Sequence, residues 1–209
     1  MRRTAVWELY KTQPSFILGF HGCDEEVGRA VIAGGTHLVA SSNNYDWLGN
    51  GIYFWEGSPQ RALEWAQTVQ KRRPHFIKKP FVVGAVIDLG NCFNMTDTAS
   101  IAELRSAYDM FKLAMEEQGL PLPQNKGGTI DRPLRYLDRA VIEFMHQMRV
   151  GAQAIKGQAL REYDSVRCPF LEGDDLYPGA GIRSLVHVQV TVRTLSCIKG
   201  YFLPIRTAG

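Results

Sequence analysis

Residues 81–89 (FVVGAVIDL) constrain this chain more than any other stretch. They are apolar and β-branched, bounded by proline and glycine, and predict a strand. Shorter strand signals stand toward both ends of the chain. They fall at 16–20, running into His21 and Gly22, at 38–40 and 52–54, and then at 165–171, 186–192 and 198–202. Helical signals fill the spaces between. Asp24 reads as an N-cap ahead of Val27, Ala30 and Val31, with Gly34-Gly35 as the stop. Ser58-Pro59 is a helix start, followed by the apolar stripe Ala62, Leu63, Ala66 and Val69. Ser100 and Glu103 have the spacing of a capping box for a helix ending at Gly119. Pro133 opens another helix, with Leu134, Leu137, Val141, Met145 and Met148 on one face. Strands at both ends with helices in the middle predict an α+β protein with a split, mostly antiparallel sheet core and flanking helices. Neither side of the Pro/Gly-rich 120–130 connection has enough strands for its own sheet. The expectation is therefore one domain over 1–209, with a helical insertion at about 98–160.

The 209 residues are 45% hydrophobic, 22% charged and 11% aromatic, an ordinary globular balance that argues against extended disorder. Every apolar run is interrupted before the roughly 18 residues needed to cross a bilayer. Residues 1–13 hold two arginines without a following apolar stretch, so no secretory signal is expected. Cys23, Cys92, Cys168 and Cys197 form no CxxC pair. That spacing predicts reduced thiols and a cytoplasmic protein rather than a zinc site or disulfide framework. The net charge of +3 names no partner, but residues 71–79 (KRRPHFIKK) concentrate Lys71, Arg72, Arg73, Lys78 and Lys79 around His75 and Phe76. Such a run can grip phosphates or simply be a solvated loop.

No GxGxxG precedes a helix and no GxxxxGK loop occurs, which excludes the Rossmann dehydrogenase and P-loop readings. His21 and Cys23 share a strand face, yet nothing marks an oxyanion hole beside them for thiol catalysis. Chemistry is concentrated in residues 20–66: FHGC (20–23), SSNNYDWLGNGIYFWE (41–56) and SPQRALEWA (58–66). A strand ending in His-Gly, a glycine-flanked loop, a strand Ile-Tyr-Phe and a Ser-Pro helix resemble the NAD-binding core of ADP-ribosyltransferases. The similarity is to the diphtheria-toxin and poly(ADP-ribose) polymerase branch, which carries a His-Tyr-Glu triad. The wording of 45–56, 171–182 (LEGDDLYPGAGI) and 198–204 (IKGYFLP) is most similar to a bacterial group within that superfamily. The resemblance covers 16–66, is weaker over 165–204, and is absent over 90–164.

The resemblance implies an NAD-dependent mono-ADP-ribosyltransferase, with NAD as co-substrate. Cleavage of the ribose–nicotinamide bond passes through an oxocarbenium-like state and releases a neutral leaving group. The site must therefore supply orientation, stacking and support for positive charge. His21 is expected to hold ribose hydroxyls, Gly22 to admit the carboxamide, and Tyr53 to stack on nicotinamide, backed by Phe54 or Trp65. Gly49 and Gly51 permit the turn before Tyr53. Ser41, Asn44 and Arg61 are candidate ribose or phosphate contacts. At the family's glutamate position the best match is Gln189, a neutral amide that holds a hydroxyl but supplies no charge. Glu172 and Glu143 are the alternative carboxylates. Glu143 and His146, at i and i+3, could share a metal, but Arg139 four residues before argues for a plain polar helix face and no metal. A small protein of this group implies an intracellular toxin, paired with an antitoxin protein, or a phage-defence effector that modifies RNA, DNA or protein. The basic run supplies the nucleic-acid option. A catalytically silent NAD or ADP-ribose module and an NAD glycohydrolase are the alternatives.

Overall fold

The computed structural model describes residues 16–127, 134–156 and 161–205. Seven strands form one mixed sheet, joined by four helices: β1 (Phe16–Asp24), α1 (Glu25–Ile32), β2 (Ile52–Glu56), α2 (Pro59–Arg72), β3 (Pro80–Asp88), β4 (Cys92–Asn94), α3 (Thr98–Glu117), α4 (Tyr136–Lys156), β5 (Ser165–Phe170), β6 (His187–Val192) and β7 (Ile198–Phe202). The strand order is β4-β5-β6-β2-β1-β3-β7. Every neighbouring pair is antiparallel except β4 with β5. The α+β expectation holds, and the last three strands interleave with the first four in a single sheet. Among the described residues no helix is long and apolar enough to cross a membrane.

Local chemistry explains the element ends. Asp24 caps α1 through a 3.0 Å bond from the Glu26 amide. Pro59 opens α2, but the Ser58 hydroxyl makes no capping bond. The cap of α3 is Asp97, whose carboxylate accepts from the Ser100 amide at 3.0 Å. Glu103 faces away, holding Arg149 at 2.7 Å and the Tyr163 hydroxyl at 2.6 Å, so the expected capping box is replaced by a tertiary network. Gly119 ends α3 with a φ of +64°. Pro133 lies outside the described residues, as do residues 1–15; α4 runs from Tyr136 past the expected end at Met148. Residues 38–40 are not a strand: Leu38 alone is buried there, packed on the sheet from a loop. The three-residue β4 carries too short a pattern to be read from sequence.

Strand alternation divides the core. On one face Ile52, Phe54, Val83, Ile87, Val190 and Val192 pack with Val31 of α1 and Leu38. On the other, Phe20, Trp55 and Val82 meet Ala62 of α2, while Val166 and Phe93 meet Ala107 of α3 and Val141 and Met145 of α4. Full burial of one side chain such as Phe54 contributes roughly 1.5–3 kcal/mol.

The register creates one irregularity. β1 pairs with β3 along all nine residues, but with β2 only at Gly19↔Glu56 and Phe20↔Trp55. Beyond that point β1 stays with β3 while Ile52–Trp55 stays with β6, and the sheet splits. α2 bridges the split from one face. A methyl group added at Gly22 would collide with the Ala62 carbonyl and contact Ala66, so glycine at 22 is demanded by helix–strand approach. Gly22→Ala is expected to cost about 2–4 kcal/mol by pushing α2 off β1, read as a lowered urea midpoint with little change in slope.

Candidate functional site

The site is framed by the 41–51 loop, which starts and ends at a Ser41↔Gly51 bridge. Asp46 closes its first turn by accepting from the Ser41 hydroxyl (2.6 Å) and the Asn43 amide (2.7 Å). The Tyr53 hydroxyl closes the second, accepting from the Leu48 amide at 3.0 Å and donating to the Gly49 carbonyl at 2.9 Å. From α4, Glu143 accepts from the Asn50 amide (2.7 Å), the Asn50 side chain (3.2 Å) and Arg193 (2.8 Å). Arg139 donates to the Asn50 side-chain oxygen at 3.0 Å. Burial alone would raise the Glu143 pKa, but the bonds and charge of Arg193 and the Asn50 amide hold it below the usual carboxylate range. Glu143 is thus a clamp on the loop, not a free base, and Arg139 pairs with Asn50 instead of Glu143.

His21 and Tyr53 meet through one bond. The His21 Nδ1 lies 2.8 Å from the Tyr53 carbonyl where β1 and β2 part. A carbonyl only accepts, so Nδ1 carries the proton and Nε2 keeps a lone pair. Burial lowers the His21 pKa, which favours this neutral form. The two rings leave the sheet on opposite faces, correcting the expectation of one clasp. His21 is in register with Val83 and its ring touches Phe54 at 5.9 Å, whereas Tyr53 is in register with Thr191 and packs among the α3/α4 residues. With its hydroxyl tied and its ring packed, Tyr53 is a loop anchor rather than an open stacking surface. Phe54 is fully buried core. Gly51 is required because a side chain there would strike Thr191 and the Val192 carbonyl.

Polar and aromatic side chains gather instead on the α2 face, over β2, β5 and β6. Trp55 lies 5.8 Å from Trp65 of α2 and 6.3 Å from His187, which in turn lies 5.5 Å from Phe170. Trp65 is 39% exposed and offers a ring that a planar ligand can reach. Arg61 spans this cluster, donating to Glu64 at 2.7 Å and Glu172 at 2.8 Å. Two carboxylates thus occupy its fork, and its expected role on phosphate becomes that of a strut positioning Glu172. Glu172 lies 3.8 Å from the His187 Nδ1, which itself donates to the Leu185 carbonyl at 2.7 Å. By the same argument as for His21, the His187 Nε2 holds a lone pair, and burial lowers its pKa. That nitrogen, the Trp55 Nε1 and the Arg61 Nε are buried without a partner among the described residues.

Gln189 stands on this face beside Trp55, but its side-chain oxygen accepts from the Trp47 Nε1 at 2.6 Å. Trp47 packs against Phe170 at 4.7 Å with the rings tilted by 44°, and the Arg135 guanidinium lies 4.9 Å from the Phe170 ring. Ser41 and Asn44 belong to the loop turn, Asn44 exposed and Ser41 bonded within it. Sequence reasoning missed His187, Phe170 and Arg135. Only the alternation HVQVTV, which puts His187 and Gln189 on one face, signals any of them. Among the described residues no cluster of His, Cys, Asp or Glu is arranged to hold a metal ion. Comparison with protein-family models, curated proteins and solved structures returned no match.

His146, one turn beyond Glu143, reports on the clamp. Burial and the Arg193 charge lower its pKa to about 4. The unfolded chain protonates this group near 6.5, so it binds more protons than the folded chain between about 6.5 and 4, and stability falls as pH falls through that window. Replacement by an apolar residue of similar size, His146→Met, is expected to flatten the pH dependence of the denaturation midpoint there. His21 and His187 leave a residual slope, because their pKa values are also lowered.

Proposed function

We propose that this chain binds NAD and transfers ADP-ribose from it to an acceptor, as an intracellular effector. The observation that carries the reading is the parting of β1 and β2, with the His21 imidazole bonded to the Tyr53 carbonyl at the split. The motifs FHGC and GNGIYFWE meet there, and because the His21 ring leaves the sheet on the Phe54 and Val83 face, the ligand contacts are assigned to the Trp55, Trp65, Glu172 and His187 cluster on the α2 face. Trp65, half-exposed beside Trp55, takes the stacking role that the sequence suggested for Tyr53. As the ribose–nicotinamide bond breaks, its electron pair neutralises the pyridinium nitrogen and the ribose carbon becomes electron-poor. The Arg61-positioned carboxylate of Glu172 is the negative group on this face of the cluster, and the His187 Nε2 is the neutral base beside it. Attack by an acceptor oxygen forms the new bond to that carbon, and its proton passes to such a base.

A second reading is favoured by Gln189. β6 has no carboxylate, and the one amide at the expected position is taken by Trp47. That arrangement suits a module that binds NAD or ADP-ribose without turnover. Calorimetry with NAD, followed by incubation with labelled NAD and RNA, DNA or lysate, separates the cases. Labelled macromolecule is the expected result. Free ADP-ribose alone means a glycohydrolase, and binding without turnover means a silent module. Absence of both binding and consumption removes the NAD assignment altogether. Trp65→Ala is expected to weaken NAD binding about 10-fold or more, with a smaller loss of stability than a fully buried ring would cause, since Trp65 is 39% exposed. Tyr53→Phe should leave affinity near wild type while lowering the denaturation midpoint, because it removes two loop bonds worth about 1 kcal/mol each.

A further inference from the structure

The basic run at the end of α2 is a rigid feature. Ile77 is buried, the Gln70 side chain donates to the Lys78 carbonyl at 2.7 Å, and the Lys78 and Lys79 amides donate to Asp24 at 2.7 and 3.0 Å. The turn between is closed by the Phe76 amide bonding the Arg73 carbonyl at 2.9 Å. Pinned on both sides, this segment still leaves Phe76 64% exposed. Most of this ring stays in water in the folded chain, and an exposed aromatic among cations is the element from which base-stacking surfaces are made.

The charges around it are uncompensated. Lys79 pairs with Glu25 at 3.3 Å, but Lys71, Arg72, Arg73 and Lys78 are exposed and have no carboxylate within ion-pair distance among the described residues. The nearby acids are committed: Asp24 to backbone amides, Glu25 to Arg29 and Lys79, and Glu64 to Arg61. Trp65 and Arg72 stand seven residues apart on α2, two turns and about 10 Å along one face. Thr68, also exposed, lies between them. Aromatic and cationic groups thus alternate from Trp65 through Arg72 to Phe76 and Lys78. A lipid surface fits poorly, because the exposed side of α2 also carries Gln60, Gln67 and Thr68 and has no apolar face to immerse.

We infer that this track, Trp65–Arg72–Phe76 with Lys71, Arg73 and Lys78, binds single-stranded nucleic acid, phosphates on the cations and bases on the two rings. It rests on the ADP-ribosyl transfer reading only in making that nucleic acid the acceptor; binding itself is independent of NAD.

The test is fluorescence anisotropy without NAD, using the whole chain and a labelled single-stranded RNA of about 15 nucleotides, a span that matches single-strand binding sites. Equivalent single-stranded DNA, duplex RNA and phosphatidylserine vesicles are run alongside. Wild type is expected to bind both single strands, with affinity falling steeply as salt rises. Neutralising the four free cations together (Lys71→Gln, Arg72→Gln, Arg73→Gln, Lys78→Gln) is expected to reduce the log–log salt slope by about 3 and the affinity more than 10-fold. Phe76→Ala is expected to weaken binding about 5-fold or more with the slope unchanged, because stacking is not electrostatic. Denaturation midpoints serve as the folding control for these exposed positions. The inference is overturned if wild type binds no single strand at low salt, if the neutralised protein keeps wild-type affinity and slope, or if duplex or vesicles bind and single strands do not. Binding without NAD consumption would uphold the track and sink the transfer reading. Consumption of NAD without nucleic-acid binding would do the reverse.

Discussion

The carbonyl of Tyr53 organises much of this protein. In an antiparallel sheet the N–H and C=O of one residue face the same neighbour, and this carbonyl faces β1 just where β1 turns away to follow β3. A backbone oxygen left unpaired inside a protein costs about 1–3 kcal/mol. The His21 ring reaches across and supplies the missing donor. One imidazole thereby keeps the split open without leaving an orphaned group, and its own tautomer is fixed by the same bond. Fold and site share this contact, so a change at His21 acts on both.

The split requires a rigid frame on either side. On one side α2 sits against β1 closely enough to exclude any side chain at position 22. On the other, the Glu143–Asn50–Arg193 network and the Tyr53 hydroxyl hold the 47–51 loop from two directions. Glu143 is only partly exposed, and its charge is tolerable because Arg193 and two donors of Asn50 meet it. Removing any one partner leaves a charge with fewer donors in a poor solvent, so the elements of this frame are coupled rather than additive.

Function on this frame depends on the contrast between tied and untied polar groups. Arg61, Gln189, Ser41 and Tyr53 all looked available for a ligand, and each is engaged within the protein: the Arg61 terminal nitrogens, the Gln189 oxygen and the Ser41 and Tyr53 hydroxyls. Among the polar groups left without a partner on the α2 face are the His187 Nε2, the Trp55 Nε1 and the Arg61 Nε, beside the partly exposed Trp65 ring and the cations at the end of α2. A ligand adds most where it satisfies an existing deficit, so these positions are where the proposal places its contacts.

The local pattern of residues was sufficient for most elements. The β-branched run of β3, the Asp24 cap, the Pro59 start of α2 and the Gly119 stop each act over one turn or one strand, a range that adjacent residues control. It was also sufficient to single out 20–66 as chemically unusual. Side-chain commitments were illegible for a different reason. Whether Gln189 is free depends on Trp47, which is 142 residues away, and whether Glu143 is a base depends on Asn50 and Arg193, 93 and 50 residues away. Periodicity likewise predicts that His21 and Cys23 share a face, but only the pairing register puts Tyr53 on the opposite one. Hydrogen bonds reach about 3 Å, so sequence decides them between near neighbours, and the tertiary fold decides them for all others.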